Sequence, residues 1–359
     1  MPSSTSISQP PVWGVRFRRW LLPWLLAVAA LANLAYPMYV HYDFSHSPDT
    51  RSYLRMATGR FDSVRVTHRY RVLVPAAAAL VAAPIAKVYA QIWPQRPSGQ
   101  WPLRFAFYLV NCLLVGAAGA CWYNAARLTG ASATAAALAM LAVLTSRWAV
   151  YAAGLPLTDS LYLLIFGLSY YAIQRGPAAS WALLVVFIVG PLTKESFFFL
   201  MPWLLWFGRS TLAWPRQLLA LAVGLVVLFA VHEIIDTQLG AASSQSLTNA
   251  WEHVSNITYS LRRAASPKGL GELLSIFGLF TVILPAAFWL AKSKQAAARV
   301  YGSLSWAEAG LLLVVATHML LSGDLGRMGF LSAPVFCSAL ALVFTQWRRL
   351  LGVENSGTI

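Results

Sequence analysis

The sequence predicts an all-α polytopic membrane protein, and three observations carry that prediction. Of the 359 residues, 58% are hydrophobic and 11% are charged, whereas a soluble domain carries about 25% charged residues. The mean hydropathy is +0.60. Long apolar runs recur along the chain, and at this composition only helices satisfy their own backbone hydrogen bonds in lipid. We therefore expect about ten transmembrane helices in a single domain over residues 20–347.

The apolar runs give the order of the predicted spans. A Ser/Pro-rich segment precedes them, which predicts a disordered cytoplasmic N-terminus over residues 1–19. The first run is too long for the core of a signal peptide, so we interpret it as an uncleaved span. Residues 348–359 are predicted to form a cytoplasmic tail. The runs are 20–40, 72–92, 104–126, 132–150, 157–174, 180–208, 217–235, 271–292, 305–322 and 328–347, of which 180–208 is long enough to be broken in two.

The formal charge of +15 does not indicate nucleic-acid binding, because the basic residues are scattered between the spans. They fit loops anchored at anionic lipid headgroups and, at a few places, a phosphate site. Positive charge also predicts which ends are cytoplasmic, among them Arg209 with Arg216 and Arg348 with Arg349. That arrangement leaves two large loops outside, 41–71 and 236–270. The three cysteines lie in apolar runs, where they are interpreted as packing residues.

Two topological arrangements satisfy these charges. In the first, 72–92 spans the membrane and 180–208 is one broken helix. In the second, 72–92 is re-entrant or interfacial, and 180–208 is a tight hairpin that turns near Lys194. Only the second places Asp159 and Lys194 on the same side as Asp49. We favour it, because charged groups inside a membrane cost about 2.5–3.5 kcal/mol each and are less costly when gathered in one cavity.

The first external loop, 41–71, is the most polar interruption in the chain and holds six arginines and three aspartates. Ser47 and Pro48 are typical of a helix start, and Gly59 is typical of a helix end. The sequence therefore predicts a short interfacial helix with Asp49 in its first turn. Asp49 either complements the helix dipole or acts as a general base toward an acceptor hydroxyl.

Further charged residues stand at the predicted membrane boundaries. Arg69 and Arg71 are either snorkelling anchors or a bidentate phosphate site. Asp159 caps a helix or faces a cavity, and the adjacent Lys194 and Glu195 either pair internally or line a cavity. Arg327 follows Asp324 in a short turn, where Arg327 is either an interface anchor or a phosphate ligand. His68 and Asp43 are candidate supporting residues in the first loop.

The order of these signals resembles the bacterial membrane glycosyltransferases of the GT-C superfamily, which take sugars from polyprenyl phosphates. The motifs are loose, but together they extend over most of the chain. The residues that carry the resemblance are Asp49, Thr50, Tyr53, Leu54, Met56, Ala57 and Gly59, then Arg69 to Pro75, then Leu157, Thr158 and Asp159, then Leu192 to Glu195, and finally Arg327.

The resemblance implies an inverting glycosyltransferase of the bacterial inner membrane. It implies a catalytic acid at Asp49, with Asp159 as a second acidic residue of the site that orients the acceptor or a basic neighbour. The phosphate of the polyprenyl-linked donor would be held by the matching basic positions, Arg69, Arg71, Lys194 and Arg327. Some members carry paired acids in this loop and bind a divalent cation such as Mg²⁺ or Mn²⁺. Here Asp43 and Asp49 are six positions apart, which departs from that pattern.

Two other classes stay open from the sequence. A transporter or flippase for a lipid-linked or anionic substrate also needs buried charges and broken helices, but no inverted repeat is evident. A non-catalytic subunit of an envelope assembly pathway would use the loop arginines to hold a partner protein.

Overall fold

A computed structural model describes residues 12–44, 47–95, 99–239, 250–289 and 305–350, with the single positions 291, 298 and 302. Within these ranges the chain forms helices and turns and no strand. The helices are α1 (Val12–Leu34), α2 (Tyr36–His41), α3 (Pro48–Ala57), α4 (Val66–Arg69), α5 (Leu73–Ile92), α6 (Trp101–Leu128), α7 (Ala133–Leu144), α8 (Arg147–Gly154), α9 (Asp159–Arg175), α10 (Ser180–Val189), α11 (Phe197–Phe207), α12 (Trp214–Leu239), α13 (Ala250–Ala264), α14 (Pro267–Leu274), α15 (Phe280–Trp289), α16 (Trp306–Ser322), α17 (Leu325–Gly329) and α18 (Ala333–Leu350).

The prediction of an all-α membrane protein is confirmed, but the prediction of about ten spans is not. Among the described residues, six helical stretches are long and apolar enough to cross a membrane, or seven if the bent pair α7 and α8 counts as one span. The other apolar runs form bent or shorter helices, such as α16 with 17 residues. α7 and α8 meet at 69°, and α15 is only 10 residues long and contains Pro285. Run length in the sequence does not reveal such breaks, which is why the predicted number was too high.

The two ends of the bundle are defined by the residues that meet there. Arg19, Arg127 and Arg175 line one cavity at what we name the proximal end. Tyr39, which follows α1, packs against Trp101 at the opposite, distal end. α1 and α6 therefore run in opposite directions, and α6 is the central helix, since it packs against α1, α5, α7, α8, α9 and α18.

The stretch from Asp159 to Leu192 reverses direction rather than running straight. α9 ends at Arg175, and Gly176 follows with φ +71°. α10 then returns to the level at which α9 began, because Lys194 Nζ lies 3.5 Å from Asp159 Oδ1. A straight helix over this stretch would separate those residues by about 50 Å. The chain reverses again near Lys194, as predicted. α11 then returns to the level at which α9 ended, because the Thr211 hydroxyl after α11 donates to the Ala172 carbonyl of α9.

α5 is long and apolar enough to cross a membrane, and it packs against α6. Val74 packs in one cluster with Phe107 and Leu157, and Ile92 lines a cavity together with Tyr39. These contacts hold α5 beside the distal part of α6; that 72–92 does not cross the membrane stays a prediction.

The N-terminal helix begins earlier than expected. α1 starts at Val12, so residues 12–19 are helical and are not part of a disordered segment. Pro10 and Pro11 stand directly before this start, and no helix-breaking residue follows until Pro23. Residues 1–11 and 351–359, which include most of the predicted tails, lie outside the described residues.

The second polar stretch, 236–270, is helical over most of its described residues. α12 continues to Leu239, α13 covers Ala250–Ala264 and α14 begins at Pro267, while residues 240–249 lie outside the described ranges. α13 is fastened to the distal end of α16, because Asn256 donates to the Leu321 carbonyl and Ser260 donates to the Leu320 carbonyl.

Candidate functional site

Asp49 is placed by the start of α3. The Ser47 side chain caps this helix by accepting from the backbone N–H of Thr50 at 3.3 Å, and Pro48 occupies the first turn. Tyr53 and Leu54 are buried beneath the helix, so α3 is anchored by its apolar side. Gly59, with φ +76°, ends the segment after α3. The helix predicted from Ser47 to Gly59 is therefore confirmed, and it leaves the Asp49 side chain 29% exposed.

The short helix α4 places His68 beside Asp49. His68 Nε2 lies 3.6 Å from Asp49 Oδ1, and the imidazole packs against the Tyr53 ring. Burial lowers the pKa of His68, and the charge of Arg71 lowers it further, while Asp49 works in the opposite direction. The imidazole is therefore neutral at neutral pH, and its contact with Asp49 is not an ion pair there.

Arg71 lies two residues after the end of α4, and its side chain contacts residues from α3 and from the turn before α11. Its guanidinium donates to the Tyr53 hydroxyl at 3.0 Å and to Glu195 Oε2 at 2.6 Å. The Arg71 side chain is 13% exposed, whereas that of Glu195 is 57% exposed. Arg69 behaves differently, because it donates to the Val64 carbonyl within its own loop at 3.4 Å. Of the two predicted phosphate ligands in this loop, only Arg71 reaches the cluster of ion pairs.

The first turn of α9 and the turn before α11 supply a buried pair. Asp159 and Lys194 lie 3.5 Å apart, and both side chains are largely buried. The turn that carries Lys194 packs tightly, since a Cβ on Gly190 would stand 2.2 Å from the Phe197 ring. A buried ion pair of this kind does not by itself indicate stability, because desolvation offsets much of the Coulomb attraction.

Arg327 on α17 joins the acids into one cluster. Its guanidinium lies 3.3 Å from Asp49 Oδ2, 3.6 Å from Asp159 Oδ2 and 2.9 Å from Asp324 Oδ2. Asp324 also caps α17 by accepting from the Arg327 backbone N–H at 3.0 Å. α17 packs closely against Trp148 and requires glycine at position 326, because a Cβ there would stand 2.2 Å from the Trp148 ring.

The structure thus brings Asp49, Asp159, Lys194 and Arg327 together, and their roles stay predictions. Residues from α3, α9, α17 and the turn before α11 meet at the distal end, with Arg71 and Glu195 beside them. The cavity between Asp159 and Arg327 has a volume of only about 10 Å³, which is the space of roughly one water molecule. A substrate therefore needs some of these ion pairs to separate before it reaches Asp159.

The suggested binding of a cation by Asp43 and Asp49 stays a prediction. Among the described residues, no three His, Cys, Asp or Glu side chains are grouped as metal ligands. The carboxylates of Asp49 and Asp159 face arginine and lysine nitrogens, which disfavour a nearby cation. Asp43 lies between α2 and α3, and its supporting role stays a prediction.

Several neighbours of the site were not predicted. Tyr53 was named only among the residues that carry the resemblance, yet its hydroxyl accepts from Arg71. Tyr70 stacks on His232 with ring centroids 3.5 Å apart and donates to Asp236 at 2.8 Å. The only sequence signal for this second contact is the presence of His232 and Asp236 on one face of the otherwise apolar run that forms α12.

Comparisons with known proteins were made by family model, by curated sequence and by solved structure, and none of the three found a match.

Proposed function

We propose that this chain is an integral-membrane glycosyltransferase of the bacterial inner membrane. It transfers a sugar from a polyprenyl-phosphate donor to an envelope glycan, lipid or protein acceptor on the non-cytoplasmic face. One observation carries the proposal. Asp49, on a short helix in the first large loop, meets Asp159, Lys194 and Arg327 although these residues are far apart in the sequence. Such a gathering of acids and bases beside apolar helices suits a substrate that has a charged head and a lipid tail.

Asp49 is the residue that accepts the proton. It is more exposed than Asp159, with 29% of its side chain accessible against 14%, so an acceptor hydroxyl reaches it first. Asp159 is held between Lys194 and Arg327, which suits a positioning residue. In the proposed reaction the acceptor oxygen attacks the anomeric carbon with inversion. The bond from that carbon to the phosphate oxygen breaks, and the acceptor proton passes to Asp49.

Cationic side chains stabilise the departing phosphate. The leaving group is the polyprenyl phosphate, which gains negative charge as the glycosidic bond breaks. Arg71, Lys194 and Arg327 are the buried cations within the cluster. Positive groups that are already oriented in a water-poor site stabilise such developing charge more strongly than they would in water. No step of this reaction is assigned to a metal ion.

The arrangement favours catalysis over transport. A carrier commonly binds its substrate and coupling ions near the middle of the membrane, whereas these ion pairs lie toward the distal end of the bundle. Reconstituted vesicles separate the two activities. A new covalent product supports the transferase, and accumulation of an unchanged substrate supports a carrier instead.

Substitution of Asp49 tests the assignment directly. We expect Asp49→Asn to reduce transfer from radiolabelled polyprenyl-phosphate sugars by roughly 10²-fold to 10⁴-fold, the contribution of a general base. Asp62→Asn is the matched control, because Asp62 is an exposed aspartate of the same loop. Transfer by the Asp49 variant at the rate of the Asp62 variant, with equal protein in the membrane, would remove Asp49 from the mechanism.

A further inference from the structure

A second polar cavity lies at the proximal end, opposite the candidate site. Its volume is about 570 Å³, far larger than the space around Asp159. Helices α1, α6 and α9 supply most of its walls. Its lining includes three arginines, Arg19, Arg127 and Arg175, and the apolar or aromatic residues Trp20, Leu128, Tyr171 and Trp181.

The charge of this cavity has one sign. Three helices each contribute one arginine, namely Arg19, Arg127 and Arg175, and no Asp or Glu belongs to the described lining. Arg127 donates to the Ala131 carbonyl with one nitrogen, which leaves further guanidinium N–H groups for another acceptor. Within the described ranges no acid forms an ion pair with any of the three. Like charges around one space repel one another, and a bound anion relieves that repulsion.

Arginines at helix ends also have an ordinary explanation. They anchor spans at the interface and complement helix C-termini, as Arg127 and Arg175 do in the last turns of α6 and α9. That explanation requires no common cavity. Arg209 and Arg216 are exposed at the same end of the molecule and do not line this space. Anchoring at the interface does not explain why Arg19, Arg127 and Arg175 all line one cavity.

The walls have both polar and apolar parts. Trp20 and Tyr171 form an edge-to-face pair with centroids 4.8 Å apart. At the rim, Leu128 and Trp181 are 37% and 51% exposed, so apolar surface continues outward from the arginines. Aromatic rings beside arginines at the end of a span are typical of the level where lipid headgroups meet acyl chains.

We propose that this proximal cavity binds the phosphodiester headgroup of an anionic membrane lipid. Arg19, Arg127 and Arg175 bind the phosphate oxygens, and the first part of an acyl chain lies against Leu128 and Trp181. A phosphate group is the shared chemistry of such a lipid and of free phosphate in solution. The apolar rim favours the lipid. The proposal is independent of the transferase activity, since this cavity lies at the other end of the bundle.

The test is lipid binding by the full-length protein, measured by native mass spectrometry after detergent delipidation. The probes are phosphatidylglycerol, the neutral lipid phosphatidylcholine, and inorganic phosphate as competitor. We expect phosphatidylglycerol to bind about thirtyfold more weakly to the Arg19→Gln/Arg175→Gln variant, since each cation near a headgroup contributes a factor of roughly five. The control is Arg209→Gln/Arg216→Gln, which removes the same charge outside the cavity and is expected to bind as the unchanged protein does.

Each outcome decides the matter. Equal affinity of the two double variants for phosphatidylglycerol would refute the cavity as the site. Equal binding of phosphatidylcholine would refute the role of charge, and displacement by inorganic phosphate at concentrations equal to the lipid would refute the role of the rim. If the Arg19→Gln/Arg175→Gln protein does not fold, Arg175→Gln alone replaces it, with an expected loss of roughly fivefold and with Arg209→Gln as its control.

Discussion

At the scale of single residues, the central group of the candidate site is the Arg327 guanidinium. It lies within 3.6 Å of a carboxylate oxygen of Asp49, Asp159 and Asp324. Three carboxylates this close repel one another unless a cation separates them. Glu195 is unlike the other acids, because 57% of its side chain is exposed while it still contacts buried Arg71. Glu195 therefore competes with any incoming phosphate for Arg71.

Removal of the Glu195 charge is expected to favour the donor. In the Glu195→Gln variant, Arg71 keeps its contact with Tyr53 and gains freedom to bind phosphate. We expect the KM for the polyprenyl-phosphate donor to fall, by at most about fivefold, because an ion pair with an exposed partner contributes only about 0–1 kcal/mol. Initial rates against donor concentration measure this effect.

Glu233→Gln serves as the comparison for this measurement. Glu233 is an exposed acid on α12 and is not among the residues that ion-pair in the described cluster. The KM of the Glu233→Gln variant for the polyprenyl-phosphate donor is expected to equal that of the unchanged protein. A higher KM for Glu195→Gln would show that Glu195 assists donor binding instead of opposing it.

At the scale of helices, the positions where helices start and where the chain turns were predicted more accurately than the number of membrane-spanning helices. Ser47, Pro48 and Gly59 predicted α3, because capping and left-handed turns depend on a few neighbouring residues. Lys194 after Gly190 predicted a reversal, since a charge within an apolar run needs a polar place. The break between α7 and α8 was missed. It lies at Ser146, whose side chain caps α8 and donates to the Ile276 carbonyl, and composition does not record such a distant contact.

The course of α5 gives a prediction at this scale. If α5 does not cross, residues before and after it lie on one side of the membrane. We expect Arg60→Cys and Gln100→Cys to react with a membrane-impermeant maleimide from the same side, and Arg209→Cys to react only from the other. All three positions are exposed. Labelling is measured in sealed, oriented vesicles before and after permeabilisation.

The native cysteines supply the background for this labelling. Cys112, Cys121 and Cys337 are buried, and the unchanged protein is expected to remain unlabelled from both sides. Reaction of Arg60→Cys and Gln100→Cys from opposite sides would mean that α5 crosses the membrane.

At the scale of the whole molecule, the cluster joins the first loop to the last quarter of the chain. Asp49 and Arg327 are 278 positions apart, and Tyr70 and Asp236 are 166 apart. Single charged residues could be identified in the sequence because they interrupt apolar runs. Which acid meets which base could not be read from spacing, because those pairs depend on how α9, α10 and α17 pack against one another.

Coupling between Asp159 and Lys194 tests how these distant parts depend on one another. We expect Lys194→Met alone to reduce stability by about 3 kcal/mol, because it leaves a buried carboxylate with one cation fewer. The Asp159→Asn/Lys194→Met protein is expected to lose less than the two single losses added together, since both charges are then absent. Thermal unfolding in detergent gives these values.

Lys268→Met is the reference for this series, because Lys268 is an exposed lysine on α14. Its unfolding temperature is expected to stay close to that of the unchanged protein. Losses that add without any interaction term would mean that Asp159 and Lys194 do not stabilise one another.

The course of α5 also affects the surrounding bilayer. If α5 does not cross the membrane, this 20-residue apolar helix is solvated by acyl chains of the distal leaflet only. That leaflet must accommodate a helix which has no counterpart in the opposite leaflet. The protein is consequently wider in one leaflet than in the other, and a wedge of this kind is accommodated with least strain where the membrane curves outward on its wider side.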